Sequence, residues 1–297
     1  MQIAYHLGAH GTDEDRLVRG LMRNRGYLAE RGIAVPAPRL YRQILPKIAR
    51  SLRGSPAGLD AQQVVLDAVL EDDPAAGEQK TARIVFSNEN LVCFPVQVIT
   101  QDGFYTHLSN RVVAYSNLFP HEENEFFLGL RGPATLIPAL IQKSNAGTYE
   151  AIMSGRDPLS LRWSAAIRRI YAAAPGTRLT VWCDEDTPLI WPEVVRAVAG
   201  LGADDPLDTD FDVLSMIMTT EGLQKLKDFV TAHPPRSAAE RRRIVTAFLD
   251  KYAAADELEL DVPLPGWTDD LVQDLSETYQ QDCAEIAAIP GVRFITP

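Results

Sequence analysis

Cysteine is sparse. Cys93, Cys183 and Cys283 are the three in 297 residues, and they stand too far apart in sequence to form a paired-thiol redox motif or a zinc motif. They are expected to be free, buried thiols in a reducing compartment. A long hydrophobic run is also missing, which excludes a membrane-spanning helix, and Met1-Gln2-Ile3 leads into an extended stretch without a basic leader. The expectation is a cytoplasmic protein with no membrane partner. Positive charge is short as well: 29 Lys and Arg face 40 Asp and Glu, for a formal net charge of -11. That balance argues against nucleic acid and anionic membrane surfaces, which need clustered cations. The 5 histidines and the many acids show no metal-ligand spacing, so no metal site is expected. Neither an internal repeat nor a heptad pattern is found.

What the chain has is an ordinary globular composition, 46% hydrophobic and 23% charged, sufficient for a sizeable core. Compact β-type runs at 3–7, 83–86, 125–130 and 178–183 are separated by helical periodicities. The pattern predicts one α/β domain, with the sheet core in 1–205 and a mostly helical extension in 206–297 that packs on it.

The organising stretch is Ile3 to Gly32, a strand, a tight turn at Gly8 and a helix predicted from about Asp13 to about Arg31. Leu17, Val18, Leu21, Met22, Leu28 and Ala29 recur at helical spacing on one face. Thr12 is placed to cap the helix, and Asp13, Glu14 and Asp15 suit its positive end. Such a strand, glycine turn and helix N-terminus is the usual frame for a phosphate. Here Gly11 stands where the common phosphate loop has a lysine, and three acids follow Thr12.

His6-Leu7-Gly8-Ala9-His10-Gly11-Thr12, with the long helix and Arg31-Gly32-Ile33 to Pro36, resembles the opening of bacterial sulfotransferase-like proteins. That family reads His-x-Gly-x-His-Lys-Thr-Gly-Thr-Thr, and the turn holds the phosphosulfate end of 3'-phosphoadenosine 5'-phosphosulfate (PAPS). His6, Gly8, His10 and Thr12 match, whereas Gly11, Asp13, Glu14 and Asp15 replace the lysine, the glycine and both threonines. The resemblance implies a three-layer α/β/α fold with a central parallel sheet, of the kind shared with P-loop nucleoside triphosphate hydrolases. It implies donor contacts at Gly8, Gly11 and Thr12, with His10 touching the sulfonate.

Further along, Ser87 and Glu89 would lie beyond the carboxyl end of a strand, where ligand groups gather in open α/β sheets. By resemblance Glu89 is the general base for an acceptor hydroxyl or amine; the alternative is a solvated glutamate. Arg131 and Pro133 match the family's Arg-x-Pro, whose arginine binds the donor's 3'-phosphate, but Ala139 stands where a serine is expected. Arg131 could equally pair with Asp13, Glu14 or Asp15. Phe94 to Thr106 reads as a lid or a plain surface loop, with His107 a weaker candidate base. The runs Glu71–Gln79 and Asp184–Asp186 read as acidic loops, Pro263–Trp267 as a turn, and Arg236, Arg241, Arg242 and Arg243 as a solvated helix start. Tyr279 and Asp282 match a final family helix.

A carboxylate 4 to 6 Å from a phosphate costs on the order of 1 to 4 kcal/mol per pair. Several together could outweigh the roughly 8 kcal/mol of a micromolar complex. The expectation is therefore a degenerate sulfotransferase-like protein, with weak or no PAPS-dependent transfer, acting as a binding or scaffolding module. The alternative is an active enzyme that uses PAPS and leaves PAP, with a small-molecule or glycan acceptor. Oligomeric state is not legible.

Overall fold

The computed structural model describes residues 1–71, 81–144, 148–254, 264 and 266–297. Six parallel strands form one sheet in the order β2-β3-β1-β6-β7-β8: β1 Gln2–His6, β2 Ile33–Ala34, β3 Arg83–Ser87, β6 Glu123–Leu130, β7 Arg178–Cys183 and β8 Val292–Ile295. A two-stranded hairpin, β4 Ile99–Thr100 and β5 Gly103–Phe104, stands apart from it. Helices cover both faces, which makes a three-layer α/β/α arrangement.

Strand alternation divides the core. Ile3, Tyr5, Ile84, Phe86, Phe126 and Leu128 point to one face. They pack there under α3 Pro38–Tyr41, α4 Ile44–Ser51, α5 Leu59–Leu70, α6 Leu108–Leu118, α7 Pro133–Lys143, α8 Tyr149–Met153 and α9 Trp163–Ala173. Tyr5 lies at the centre of this layer, with ring centroids 5.1 Å from Tyr115 and 5.2 Å from Phe126. Ala4, Val85, Phe127 and Trp182 point to the other face, under α1 Arg16–Arg23, α2 Arg25–Ala29 and α10 Thr187–Ala199. Every one of these strand residues is buried, as expected of a parallel sheet covered on both sides.

The C-terminal third divides in two. α14 Asp269–Ala287 packs on α7 and α9, and β8 pairs with β7, so this part belongs to the sheet layers. The short α11 Leu214–Ile217, α12 Thr220–Ala232 and α13 Ala238–Tyr252 build a separate small core around Leu214, Met218, Leu226 and Val245. This cluster meets the sheet body through Leu189 of α10, which packs against both cores, and through Arg241 and Arg242, which reach Leu189, Asp210 and Glu193. Among the described residues no helix is long and apolar enough to cross a membrane.

Four expectations about the elements need correction. The basic cluster expected as a solvated helix start is partly a tertiary clamp, because Arg241 donates to the Leu189 and Asp210 carbonyls and Arg242 to Glu193. The helix predicted over 13–31 begins at Arg16 and breaks at Asn24, whose side chain donates to the Gly20 carbonyl and accepts from the Asp208 N–H. Thr12 does not cap it: its hydroxyl donates to the Ala9 carbonyl, while Asp13 accepts from the Leu17 N–H. Phe94 to Thr106 is neither a lid nor a plain loop, because Phe104 and Tyr105 are buried against Trp163 at ring distances of 4.7 Å. Residues 72–79 of the predicted acidic loop, and Pro263 and Pro265 of the predicted turn, lie outside the described residues.

Candidate functional site

The connections after β1 and after β6 run to opposite sides of the sheet, so the crevice beyond their carboxyl ends is the topological switch point where open α/β sheets bind ligands. Five polypeptide segments converge there: the turn after β1, Glu89 after β3, Arg131 after β6, the end of α7 and Asp184–Asp186 after β7. The β1–β6 pairing continues into the turn, where the Leu7 N–H donates to the Phe127 carbonyl at 2.9 Å and the Ala9 N–H to the Gly129 carbonyl at 2.8 Å. Gly8 takes φ +92°, and a Cβ there would stand 3.1 Å from the Glu89 Cβ.

The groups that would greet an anion are already in use. The Gly11 N–H donates to Glu89 Oε2 at 2.9 Å, and Lys143 Nζ at the end of α7 reaches Glu89 Oε1 at 3.1 Å and Glu14 at 3.5 Å. Arg131 donates to the Gly11 carbonyl and, through Nε, to the Thr135 hydroxyl at 3.0 Å. Its own carbonyl accepts from the Trp163 indole at 2.9 Å. The ion pair of Arg131 with Asp13, Glu14 or Asp15 does not form among the described residues; hydrogen bonds hold the guanidinium instead. At the start of α7 the Gly132 N–H donates to Glu185 Oε1 at 2.8 Å, and Glu185 Oε2 accepts from the Tyr279 hydroxyl at 3.1 Å. Glu185 is thus a tertiary cap on α7 rather than a solvated loop acid.

A side chain at position 11 has no room. Its Cβ would lie 2.7 Å from Arg131 Nη1, 3.1 Å from the Ala139 Cβ and 3.6 Å from Lys143 Cε, on a backbone at φ +71°. Lys143, which arrives from the end of α7, brings the nearest ammonium to this turn, where it meets Glu89 and Glu14. Sequence reasoning passed over Lys143, because nothing local links a helix end at 143 to a turn at 11.

His10 is fully buried. Its Nδ1 lies 2.8 Å from the Tyr105 hydroxyl and its Nε2 3.0 Å from the Cys93 carbonyl, so both ring nitrogens are engaged by the protein. Expected at the sulfonate, it instead ties the turn to the segment after Glu89. His6 is buried against the Trp182 ring and pairs with the Ser87 Oγ at 2.8 Å, leaving Nε2 without a partner. Burial pulls both histidines below their ordinary pKa, opposed by the field of Glu89 at each and of Asp13 and Asp15 at His6. Burial pushes Asp184 well above the usual carboxylate range, and the Glu185 charge pushes it the same way.

Of the residues singled out by sequence, Gly8, Gly11, Glu89 and Arg131 come together here, and Thr12 and His10 turn inward as ties. Among the described residues no group of His, Cys, Asp and Glu could hold a metal ion. Two cysteines distant in sequence do meet: the Cys183 and Cys283 sulfurs lie 3.4 Å apart, both as free thiols. No protein family, curated protein or solved structure matches the chain.

Proposed function

We propose that this chain is a sulfotransferase-like binding module whose nucleotide turn is closed from within, with weak or no sulfonate transfer. One observation carries the reading. At the turn after β1 the Gly11 N–H, one of the donor contacts that the resemblance implies, already donates to the protein's own Glu89 carboxylate. A phosphate entering the turn would have to displace Glu89 and remain beside it, at about 1 to 4 kcal/mol for each carboxylate pair. The PAPS donor does not fit the residues present.

A second reading, active transfer from PAPS to a small-molecule or glycan acceptor with Glu89 as base, draws support from Lys143. Its ammonium brings a positive charge to the turn from α7, where residue 11 carries none.

Calorimetric titration with 3'-phosphoadenosine 5'-phosphate separates the two. The unmodified protein is expected to give no saturable heat up to about 1 mM, the weak limit of ordinary ligand affinity. Glu89→Gln, which removes the blocking charge, is expected to gain binding. Micromolar binding by the unmodified protein that disappears in Lys143→Met would establish the second reading and discard the first.

A further inference from the structure

The Asn88–Gln97 segment, which brings Glu89 to the turn after β1, also lines a cavity of about 470 Å³, within the usual range of small-ligand sites. Arg42 just before α4 and Arg50 in its last turn line it, with Arg111 and His107 from the start of α6 and Phe94 from the segment itself. Its charge is unusual for this chain. Three guanidiniums and an imidazole converge, and no Asp or Glu lines the cavity, although the protein carries 40 acids and a net charge of -11.

Local structure does not account for these cations. Among the described residues the Arg42 and Arg50 side chains have no hydrogen-bond or ion-pair partner, and both are exposed. Arg111 uses only Nε, which donates to the Val92 carbonyl at 3.0 Å. A place in the last turn of α4, where a cation complements the helix dipole, explains Arg50 but neither Arg42 nor Arg111. Phe94 is 64% exposed at the same cavity, a large apolar ring left in solvent beside guanidinium groups. Forked donors that match carboxylate, sulfate or phosphate, next to an open aromatic face, make a recognisable ligand frame.

We propose that this cavity binds a small aromatic anion, its oxyanion held by Arg42, Arg50 and Arg111 and its ring against Phe94. The inference rests on the binding-module reading and names the ligand class of that module. Carboxylate, sulfate and phosphate share the chemistry required.

The test is amide-resolved NMR titration of the full chain with benzoate, phenyl sulfate and phenyl phosphate, with benzyl alcohol and inorganic phosphate as controls. Saturable shifts are expected at residues 88–97 and 107–111, and the ester or acid that binds tightest identifies the anion. The Arg42→Ala, Arg50→Ala double variant removes no hydrogen bond or ion pair among the described residues, and is expected to fold and to bind at least about tenfold more weakly, the loss of one charge-assisted hydrogen bond or more. Phe94→Ala is expected to weaken the aromatic anions and leave inorganic phosphate unchanged. The proposal fails if none of the three anions saturates, if the double variant binds as well as the parent, if benzyl alcohol binds as tightly, or if the shifts centre on Gly11. Nucleotide binding at the turn is read at Gly11, Thr12 and Lys143, so failure of the module reading and failure of this proposal appear at different residues.

Discussion

Replacing Glu89 by Gln tests whether a carboxylate locks the turn. Its side chain and that of Lys143 are 17% and 24% exposed and meet at 3.1 Å. At that separation a full charge pair is worth about 1.3 kcal/mol in water and about 5 kcal/mol at an effective dielectric of 20. Partial exposure and side-chain ordering bring the net value to about 1 to 2 kcal/mol. The Gly11 hydrogen bond adds little to this difference, because the glutamine carbonyl can still accept it. The assay is a double-mutant cycle by urea unfolding with the parent, Glu89→Gln, Lys143→Met and the double variant. The two single changes are expected to lower stability by about 1 to 2 kcal/mol each, and the double by clearly less than their sum. In 1 M salt, where the screening length is about 3 Å, the coupling should shrink. Additivity within about 0.3 kcal/mol at low salt would refute the reasoning, since the carboxylate would then be at the turn without being held there.

Three further outcomes are expected. Asp282 of α14, 2% exposed, accepts from the Trp163 N–H at 2.6 Å and from the Ser164 N–H, capping α9 from the far end of the sequence. Asp282→Ala should cost about 3 kcal/mol in chemical unfolding, from two orphaned amides and a lost charge at a helix N-terminus. His6 and His10 stay neutral in the fold below their ordinary pKa of 6.5, so the unfolded chain binds more protons there. Stability should be complete above pH 6.5 and fall as the pH drops from that value toward the lowered native pKa values, by up to about 1.4 kcal/mol per pH unit per histidine. His6→Gln should flatten that slope, and an unchanged slope would remove His6 from the account. Oxidised glutathione should convert Cys183 and Cys283, whose sulfurs lie 3.4 Å apart, to a disulfide with release of two reduced glutathiones, while Cys93, buried at 6% exposure, stays a thiol. Thiol titration should then find one free group instead of three, and Cys183→Ser should abolish the change.

The strands were legible because parallel strands buried on both faces read as continuous apolar runs; β3, β6 and β7 all lie where such runs occur, with Gly or polar residues bounding them. The first helix was legible in its apolar face and not in its ends. Its start is set by Asp13 reaching Leu17, and by Glu14 and Asp15 at positive φ, and its break by Asn24 bonding to Asp208, far along the chain. At the site, the glycines, Glu89 and Arg131 were found from strand ends, but their partners were not. Whether Arg131 meets an acid or a carbonyl, and that Lys143 reaches Glu89 and Glu14 at the turn, depends on how α7 crosses the turn, which no local pattern encodes. Tyr105 was passed over for the same reason, since an aromatic in an irregular stretch gives no sign that a buried histidine holds its hydroxyl.

The small core under α11, α12 and α13 has a consequence for how the molecule breathes. Among the described residues it shares one leucine with the sheet body and is otherwise clamped by a few guanidinium contacts, so its opening need not disturb the strands. Amides of those three helices should exchange with heavy water well before those of β1, β3 and β6. A protease acting on the native protein would then nick this cap first and leave the sheet intact.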